Sequence, residues 1–288
     1  MKRRLSTGVL VLIFLAGLSL LLYPTVSDYW NSLHQSRAIT EYGAAVSKLD
    51  KETYDRILED AREYNTALAT SPAHYNLNEE ERREYESQLD VSDNGVIACI
   101  EIPKIHCSLP IYRGTDEGTL QKAIGHLEWT SLPVGGKSTH CVLSGHRGLP
   151  SARLFTDIDL LEEGDRFILR VMDEILTYEV DQIRTVLPEE LKELQIVEGE
   201  DYCTLVTCTP YGVNSHRLLV RGHRVANDEN AGNIRVTADA MQIDPAIVAP
   251  IAAVPLLLML LVAVLIKTRR KKERTKEGGS DANTKKRY

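Results

Sequence analysis

A thiol, an imidazole and a guanidinium stand beside three turns of this chain in positions that could serve one reaction. Cys208 closes the apolar, strand-like run Thr204-Leu205-Val206-Thr207-Cys208 and is followed by the turn cluster Thr209-Pro210-Tyr211-Gly212. Arg217 then opens a second such run, Arg217-Leu218-Leu219-Val220. This hairpin-like layout can aim the thiol and the guanidinium at one carbonyl. Far upstream, His146 lies in the glycine-flanked turn Ser144-Gly145-His146-Arg147-Gly148, after the strand-like His140-Cys141-Val142-Leu143. Cys, His and Arg on loops beside strands point to acyl transfer through a thioester.

The elements that must position these residues differ between the two halves of the chain. From residue 28 to about 89 the sequence is polar and helical, and Tyr54, Ile57, Leu58, Ala61, Tyr64 and Leu68 mark one apolar helix face. Ser71-Pro72-Ala73 breaks the pattern, and Asn78-Glu79-Glu80-Glu81 starts a further helix with acids in its first turn, so 70–78 reads as a loop. After Asp93-Asn94-Gly95 the texture becomes short strands, at 96–102, 109–113, 139–144, 166–172, 175–186, 202–208 and 217–225, with short helical pieces expected at 118–123 and 151–161. Many short strands with few helices predict a mainly β domain, a barrel or a sandwich.

Both ends of the chain read as membrane segments. Residues 5–23 are apolar and uncharged behind Lys2, Arg3 and Arg4; as a helix they span ~28 Å, close to a bilayer's hydrocarbon core. No small-x-small cleavage pattern follows, so an uncleaved anchor is expected over a signal peptide. Residues 246–266 form a second apolar run, which ends in Lys267-Thr268-Arg269-Arg270-Lys271-Lys272. Basic residues outside both spans place both termini in the cytoplasm and the middle of the chain outside the cell membrane. The formal net charge is −7; the tail after Ile266 contributes +7 and the N-terminal tip +3, which leaves −17 for the rest. So acidic a domain argues against nucleic acid as a partner, while the basic tail suits topology and anionic membrane lipid. The cysteines Cys99, Cys107, Cys141, Cys203 and Cys208 are odd in number, so one at least is unpaired; Cys99, Cys141 and Cys203 lie in apolar runs and read as buried, inert thiols. No CxxC pair occurs, a His140/Cys141/His146 set lacks a fourth ligand, and neither a metal nor a cofactor is expected.

Several segments together resemble the sortase family: Gly125-His126-Leu127, Thr130-Ser131-Leu132-Pro133-Val134-Gly135-Gly136, Ser144-Gly145-His146-Arg147-Gly148-Leu149-Pro150, Thr207-Cys208-Thr209-Pro210-Tyr211-Gly212 and His216-Arg217-Leu218-Leu219-Val220-Arg221-Gly222. The likeness covers about 95–225 and is strongest to the class C, pilin-polymerising enzymes of Gram-positive bacteria. It implies an eight-stranded sortase-type β-barrel with an N-terminal helical extension and a transmembrane helix at each end. The expected organisation is a tip and anchor over 1–26, the extension over 27–93, the barrel over 94–227, a linker over 228–245, a second anchor over 246–266 and a basic tail over 267–288. The implied activity is that of a cysteine transpeptidase, which cuts an LPXTG-like sorting signal between Thr and Gly. The implied partners are pilin subunits that carry such a signal and an acceptor lysine.

On this reading Cys208 is the nucleophile. A free thiol with a pKa of ~8.5 is only a few per cent thiolate near neutrality and needs a nearby cation. His146, taken to face it across the barrel, can serve and can later protonate the departing amine, which a permanently charged arginine cannot. Arg217 offers forked donors to an oxyanion or to the substrate. Arg221 lies four residues along the strand and can face the same side; motif and spacing favour Arg217 and leave Arg221 a structural role. Arg147 reads as solvated or loop-bracing, His126 as a flank of the site or a structural residue, and His140, His216 and His223 as outside the catalytic set. Class C enzymes typically carry an Asp-Pro-aromatic lid; here the corresponding loop reads Ser71-Pro72-Ala73-His74-Tyr75, so the acid and the aromatic are replaced, and the loop is either a lid with His74 or Tyr75 in the cleft or an ordinary connector. Trp129 stands where a small residue is expected, with consequences for cleft shape. The alternatives are a sortase that attaches proteins to peptidoglycan, a plain cysteine protease and, from another class, a non-catalytic membrane scaffold.

Overall fold

Side-chain alternation and helix capping divide the molecule as the two textures of its sequence require. The computed structural model describes residues 2–71, 75–92 and 94–227, with Leu257, Met259, Leu261 and Val262 beyond them, and for residues 2–8 and 10 the backbone alone. Eight strands follow the helical region: β1 (Val96–Ile102), β2 (Cys107–Arg113), β3 (Ile124–His126), β4 (Thr139–Ser144), β5 (Arg166–Val171), β6 (Glu174–Val186), β7 (Asp201–Thr209) and β8 (His216–Val225). They close into a barrel in the order β1-β2-β3-β4-β7-β8-β6-β5. The β2–β3 and β4–β7 pairs are parallel, and the others are antiparallel. β3 has only three residues, too few for a period of two to declare itself.

The barrel interior is filled by inward residues such as Ile100, Ile111, Ile124, Leu143, Phe167, Leu205 and Val220, all fully buried. β1 is buried along its whole length; the N-terminal helix covers Ile97 on its outer side, and the one charged residue, Glu101, is paired with Arg170 at 2.7 Å. The hydroxyl of Tyr42 donates to the Ile97 carbonyl (2.9 Å) and accepts from the Met172 N–H (2.8 Å).

The helices are α1 (Lys2–Val46), α2 (Lys51–Thr70), α3 (Glu79–Ser87) and a single turn, α4 (Glu117–Leu120). α1 is long and apolar enough in its first part to cross a membrane, alone in this among the described residues, and it continues past Pro24 to Val46. The helical region has a break that its polarity pattern does not announce: the chain leaves α1 through residues 47–50, and Asp50 caps α2 by accepting from the Thr53 N–H at 2.9 Å. α3 opens with a capping box between Asn78 and Glu81. α2 packs through Leu58 and Ala61, as its periodicity predicts, and also through Asn65. The Asn65 amide bonds the carbonyl (3.1 Å) and N–H (2.7 Å) of Leu132 as a strand neighbour would. The 151–161 segment, expected to be helical, holds only a short 3-10 turn at Ile158–Leu160, because a Leu149–Ala152 bridge fixes its start in a turn. The second apolar run at 246–266 lies largely outside the described residues.

Candidate functional site

β4 and β7 are parallel neighbours, in register from Thr139↔Asp201 to Ser144↔Val206. The chain therefore leaves β4 at Gly145-His146 beside the last residues of β7. His146 comes to Cys208 from the adjoining strand and not from across the barrel, a correction that depends on the parallel pairing. On the other side of β7, Cys208 is paired directly with Arg217 of β8. Cys203 and Leu205 of β7 point into the core. By alternation, Thr204, Val206 and Cys208 point outward, and Cys208, His146 and Arg217 are all half-buried at one rim.

The turn after β4 is drawn tightly onto β7. Gly145 N–H donates to the Val206 carbonyl (3.0 Å), and Thr207 Oγ1 donates to the Gly145 carbonyl (2.7 Å). A Cβ on Gly145 would stand 2.5 Å from Ile124 Cδ1 and 2.8 Å from Phe155, so the motif needs glycine there. Gly148, at φ +73°, lies under the Tyr211 ring, 2.6 Å from where its Cβ would be. The loop closes on itself through Phe155 N–H to the His146 carbonyl at 3.2 Å. Arg147, largely buried, pairs with Asp159 through Nη2 and donates from Nη1 to Thr209 Oγ1 at 3.3 Å. It is the loop-bracing residue of the two readings, and it joins the neighbour of His146 to the neighbour of Cys208. That link spans 62 positions, so no local sequence signal could reveal it.

The two candidate arginines differ sharply. Arg221 is bidentate to Asp181 (3.0 and 2.9 Å) and lies over the Tyr202 ring at 4.2 Å, which engages its fork as expected for a structural residue. Arg217 bonds only through Nη1, to the Asn214 (3.3 Å) and His216 (3.2 Å) carbonyls. Its other donors have no partner among the described residues, and neither has the buried Nε2 of His146.

An apolar patch leads along the outer face of the barrel to this rim. Val142, Val206 and Leu219 on β4, β7 and β8 pack with Leu191 and Leu194 from the β6–β7 connection and with Trp129. At its far end a cavity of about 210 Å³ opens between the end of α2, Tyr75, Trp129, His140 and Gln195. Tyr75 packs edge-on against Trp129 with ring centroids 4.9 Å apart, and its hydroxyl accepts from Gln195 Nε2 at 3.3 Å. At ~3.3 Å per strand residue, Thr204 beneath this end lies about 13 Å from Cys208. Of the expected lid, Ser71 and Tyr75 line this cavity, whereas Pro72, Ala73 and His74 lie outside the described residues.

The other histidines and cysteines are engaged elsewhere. His126 is fully buried. Its Nε2–H donates to the Ser131 carbonyl (2.8 Å), so its Nδ1 must accept from the Tyr85 hydroxyl (2.9 Å). It joins α3 to the barrel and is a structural residue. His140 donates from Nδ1 to the Gln195 carbonyl (2.9 Å) and accepts at Nε2 from Thr204 Oγ1 (2.7 Å). Burial holds its pKa down to about 4, so it is neutral. His140 and Cys141 point to opposite faces of β4, so they cannot converge on a metal with His146; no cluster of metal-ligating side chains occurs among the described residues. Burial pushes the Cys99 and Cys107 thiols up to about 12, and Cys203 up as well. All five cysteines are free thiols.

Comparison with known proteins agrees with this geometry. A sortase-domain family model matches residues 100–225. The crystal structure of sortase C1 from Streptococcus agalactiae is 55% identical, with a TM-score of 0.65 over 67% of this chain and 100% of that one. Sortase C of Streptococcus pneumoniae is 43% identical, with a TM-score of 0.59 over 66% of this chain and 97% of that one. Sortase A of Bacillus anthracis is 27% identical over 226 residues, 78% of this chain and 96% of its own length.

Proposed function

We propose, from the premise that this chain belongs to the sortase family of cysteine transpeptidases, that it is a membrane-anchored class C enzyme which joins pilin subunits. The observation that carries the proposal is the convergence at one rim: Cys208 in register with Arg217, and His146 leaving the parallel neighbour of the same strand. The solved pneumococcal sortase C is described in terms of pilin substrate specificity, which supports the choice of substrate.

In the proposed reaction the Cys208 thiolate attacks the Thr carbonyl carbon of an LPXTG-like signal. Arg217 donates to the resulting oxyanion through the N–H groups its loop leaves unused. The Thr–Gly C–N bond breaks, and imidazolium His146 gives its proton to the departing Gly amine. A pilin lysine amine then attacks the thioester carbon, neutral His146 takes its proton, and the C–S bond breaks to regenerate the thiolate and leave an isopeptide bond. The apolar patch backs the signal, with half-buried Val206 at its surface and buried Val142 and Leu219 beside it. Tyr75 of the expected lid covers the far end of that patch by packing on Trp129; an unchanged KM for a sorting-signal peptide in Tyr75→Ala would remove this role. The catalytic unit is the barrel over 94–227, with the extension over 27–93 packed on it, and the apolar start of α1 as an anchor that leaves the barrel outside the cell. A second anchor over 246–266 and a cytoplasmic basic tail complete the proposed topology.

The test is capture of a sorting-signal peptide as an acyl-enzyme. Cys208→Ala is expected to abolish it, and capture through another cysteine would overturn the assignment. Diversion of the thioester to a lysine-bearing pilin marks a polymerase. Diversion only to a peptidoglycan amine marks the wall-anchoring reading, and hydrolysis alone marks a protease.

A further inference from the structure

Opposite faces of α1 carry opposite chemistry just beyond its apolar run. On one face, Asp28 Oδ1 accepts from the Arg153 N–H (3.0 Å), Asn31 Nδ2 donates to the Ser151 carbonyl (2.7 Å) and Gln35 Nε2 donates to the Lys122 carbonyl (2.8 Å). The same face continues into buried Ala38 and Tyr42. The other face presents Tyr29, Trp30 and Leu33, which are 65%, 62% and 48% exposed. One turn later that stripe turns charged, with Arg37 paired to Glu41 at 2.8 Å and both largely in solvent. Single exposed apolar residues need no explanation. Two aromatics and a leucine aligned between an apolar segment and an ion pair do, because tyrosine and tryptophan concentrate where hydrocarbon meets water.

We propose that Tyr29, Trp30 and Leu33 form a collar that sits in the bilayer interface, and that the opposite face of the same turns holds the His146 loop close to the lipid headgroups. The inference rests on the reading of the start of α1 as a membrane anchor. The occupant of the collar is lipid, because the stripe begins six residues after the apolar run ends at Tyr23 and stops on its own face where Arg37 and Glu41 begin. Trp30 suits that boundary: its ring lies 4.9 Å from the His34 ring, and His34 Nδ1 bonds the Trp30 carbonyl at 2.8 Å. At 1.5 Å per residue, Asp28 and Asn31 stand within ~3 Å of Trp30 along the helix axis. They bond residues 151 and 153, inside the loop that Phe155 closes onto the His146 carbonyl. The rim would therefore receive substrate at the membrane surface, which fits an amide still attached to a membrane-held protein better than a freely diffusing one.

The full chain would be reconstituted in phosphatidylcholine/phosphatidylglycerol vesicles that carry lipids brominated either near the headgroup or near the chain end. Trp30 and Trp129 are the only tryptophans, so Trp30→Phe supplies the background. Stronger quenching of the unmodified chain than of the variant by headgroup-proximal bromine is the expected result. Equal quenching of the two overturns the collar, as does stronger quenching from the chain end, or protection of Trp30 in a cross-linkable dimer. Flotation separates the premise from the inference: a chain that floats with unquenched Trp30 keeps its anchor and loses its collar, and a chain that fails to float loses both. Energy transfer from a fluorophore on Cys208, in a Cys107→Ser background, to headgroup-labelled lipid reads the height of the rim. Transfer is expected to fall when Asp28→Ala and Asn31→Ala are combined, and unchanged transfer overturns the link to the His146 loop.

Discussion

β4 has a histidine at each end, and the two are treated in opposite ways. His140, near its start, has both ring nitrogens bonded, one to the Gln195 carbonyl and one to Thr204. His146, just past its end, keeps a buried Nε2 with no partner among the described residues. A buried polar atom left without a bond costs stability, and native folds rarely carry many. The satisfied histidine is committed to the fold. The unsatisfied one leaves β4 beside the end of β7, at the rim that carries Cys208 and an arginine with donors to spare. The same contrast separates Arg221, engaged by Asp181, from Arg217.

The largest effects are expected from removing each of the two histidines in turn. His146→Gln is expected to lower kcat by ~10²–10⁴-fold, the usual worth of a positioned general acid–base, with an unfolding midpoint within about 2 °C of the parent. His140→Ala is expected to do the reverse and destabilise by about 2 kcal/mol through the orphaned Thr204 and Gln195 groups, with activity retained at low temperature. Equal loss of stability in both variants would erase the distinction. The arginines give the next largest contrast. Arg217→Lys is expected to cost ~10²–10³-fold in kcat with little change in KM, whereas Arg221→Lys shifts stability by about 1 kcal/mol and leaves kcat intact.

The neutral state of His140 has a consequence in pH. Burial depresses its folded pKa to about 4 from an ordinary 6.5. Above pH 6.5 the folded and unfolded forms bind the same number of protons there, and its contribution is fully present. As pH falls toward 4 the unfolded chain takes a proton that the folded one refuses, so stability is lost across that window, on the order of 3 kcal/mol in all. Chemical denaturation at pH 7 and pH 4.5 is expected to show a smaller difference for His140→Gln than for the parent. Parallel behaviour of the two would remove His140 as the cause. The smallest effect is expected at Arg147→Lys, where a point charge can keep Asp159 but cannot also bridge to Thr209. A fall of about tenfold in kcat is expected, with KM and the unfolding midpoint nearly unchanged.

The sequence made some of this plain and hid the rest for physical reasons. Local patterns showed most of the strands, the apolar face of α2 and the acidic start of α3, because each depends on residues close in the chain. They could not show β3, whose three residues owe their conformation to their neighbours β2 and β4. They also missed the break at 47–50, where polar residues continue through a turn without a glycine or proline to mark it. Cys208, His146 and Arg217 stood out by type and turn context, yet the direction from which His146 arrives required the β4–β7 pairing. The roles of Arg147 and His126 were left between two readings because their partners, Thr209 and Tyr85, lie far away in sequence.

The parallel pairing of β4 with β7 also sets when the rim can exist during the life of the chain. Thr139 meets Asp201 across 62 positions, and Cys208 meets Arg217 only once β8 has turned back on β7. Contacts so distant form late, after the loop-closure entropy between them has been met. A nascent chain that has delivered β1 through β6 therefore carries its histidine with no thiol beside it. The thiol, once made, has no arginine until the last strand arrives. Closure of the barrel and completion of the Cys208–Arg217 rim are then a single event.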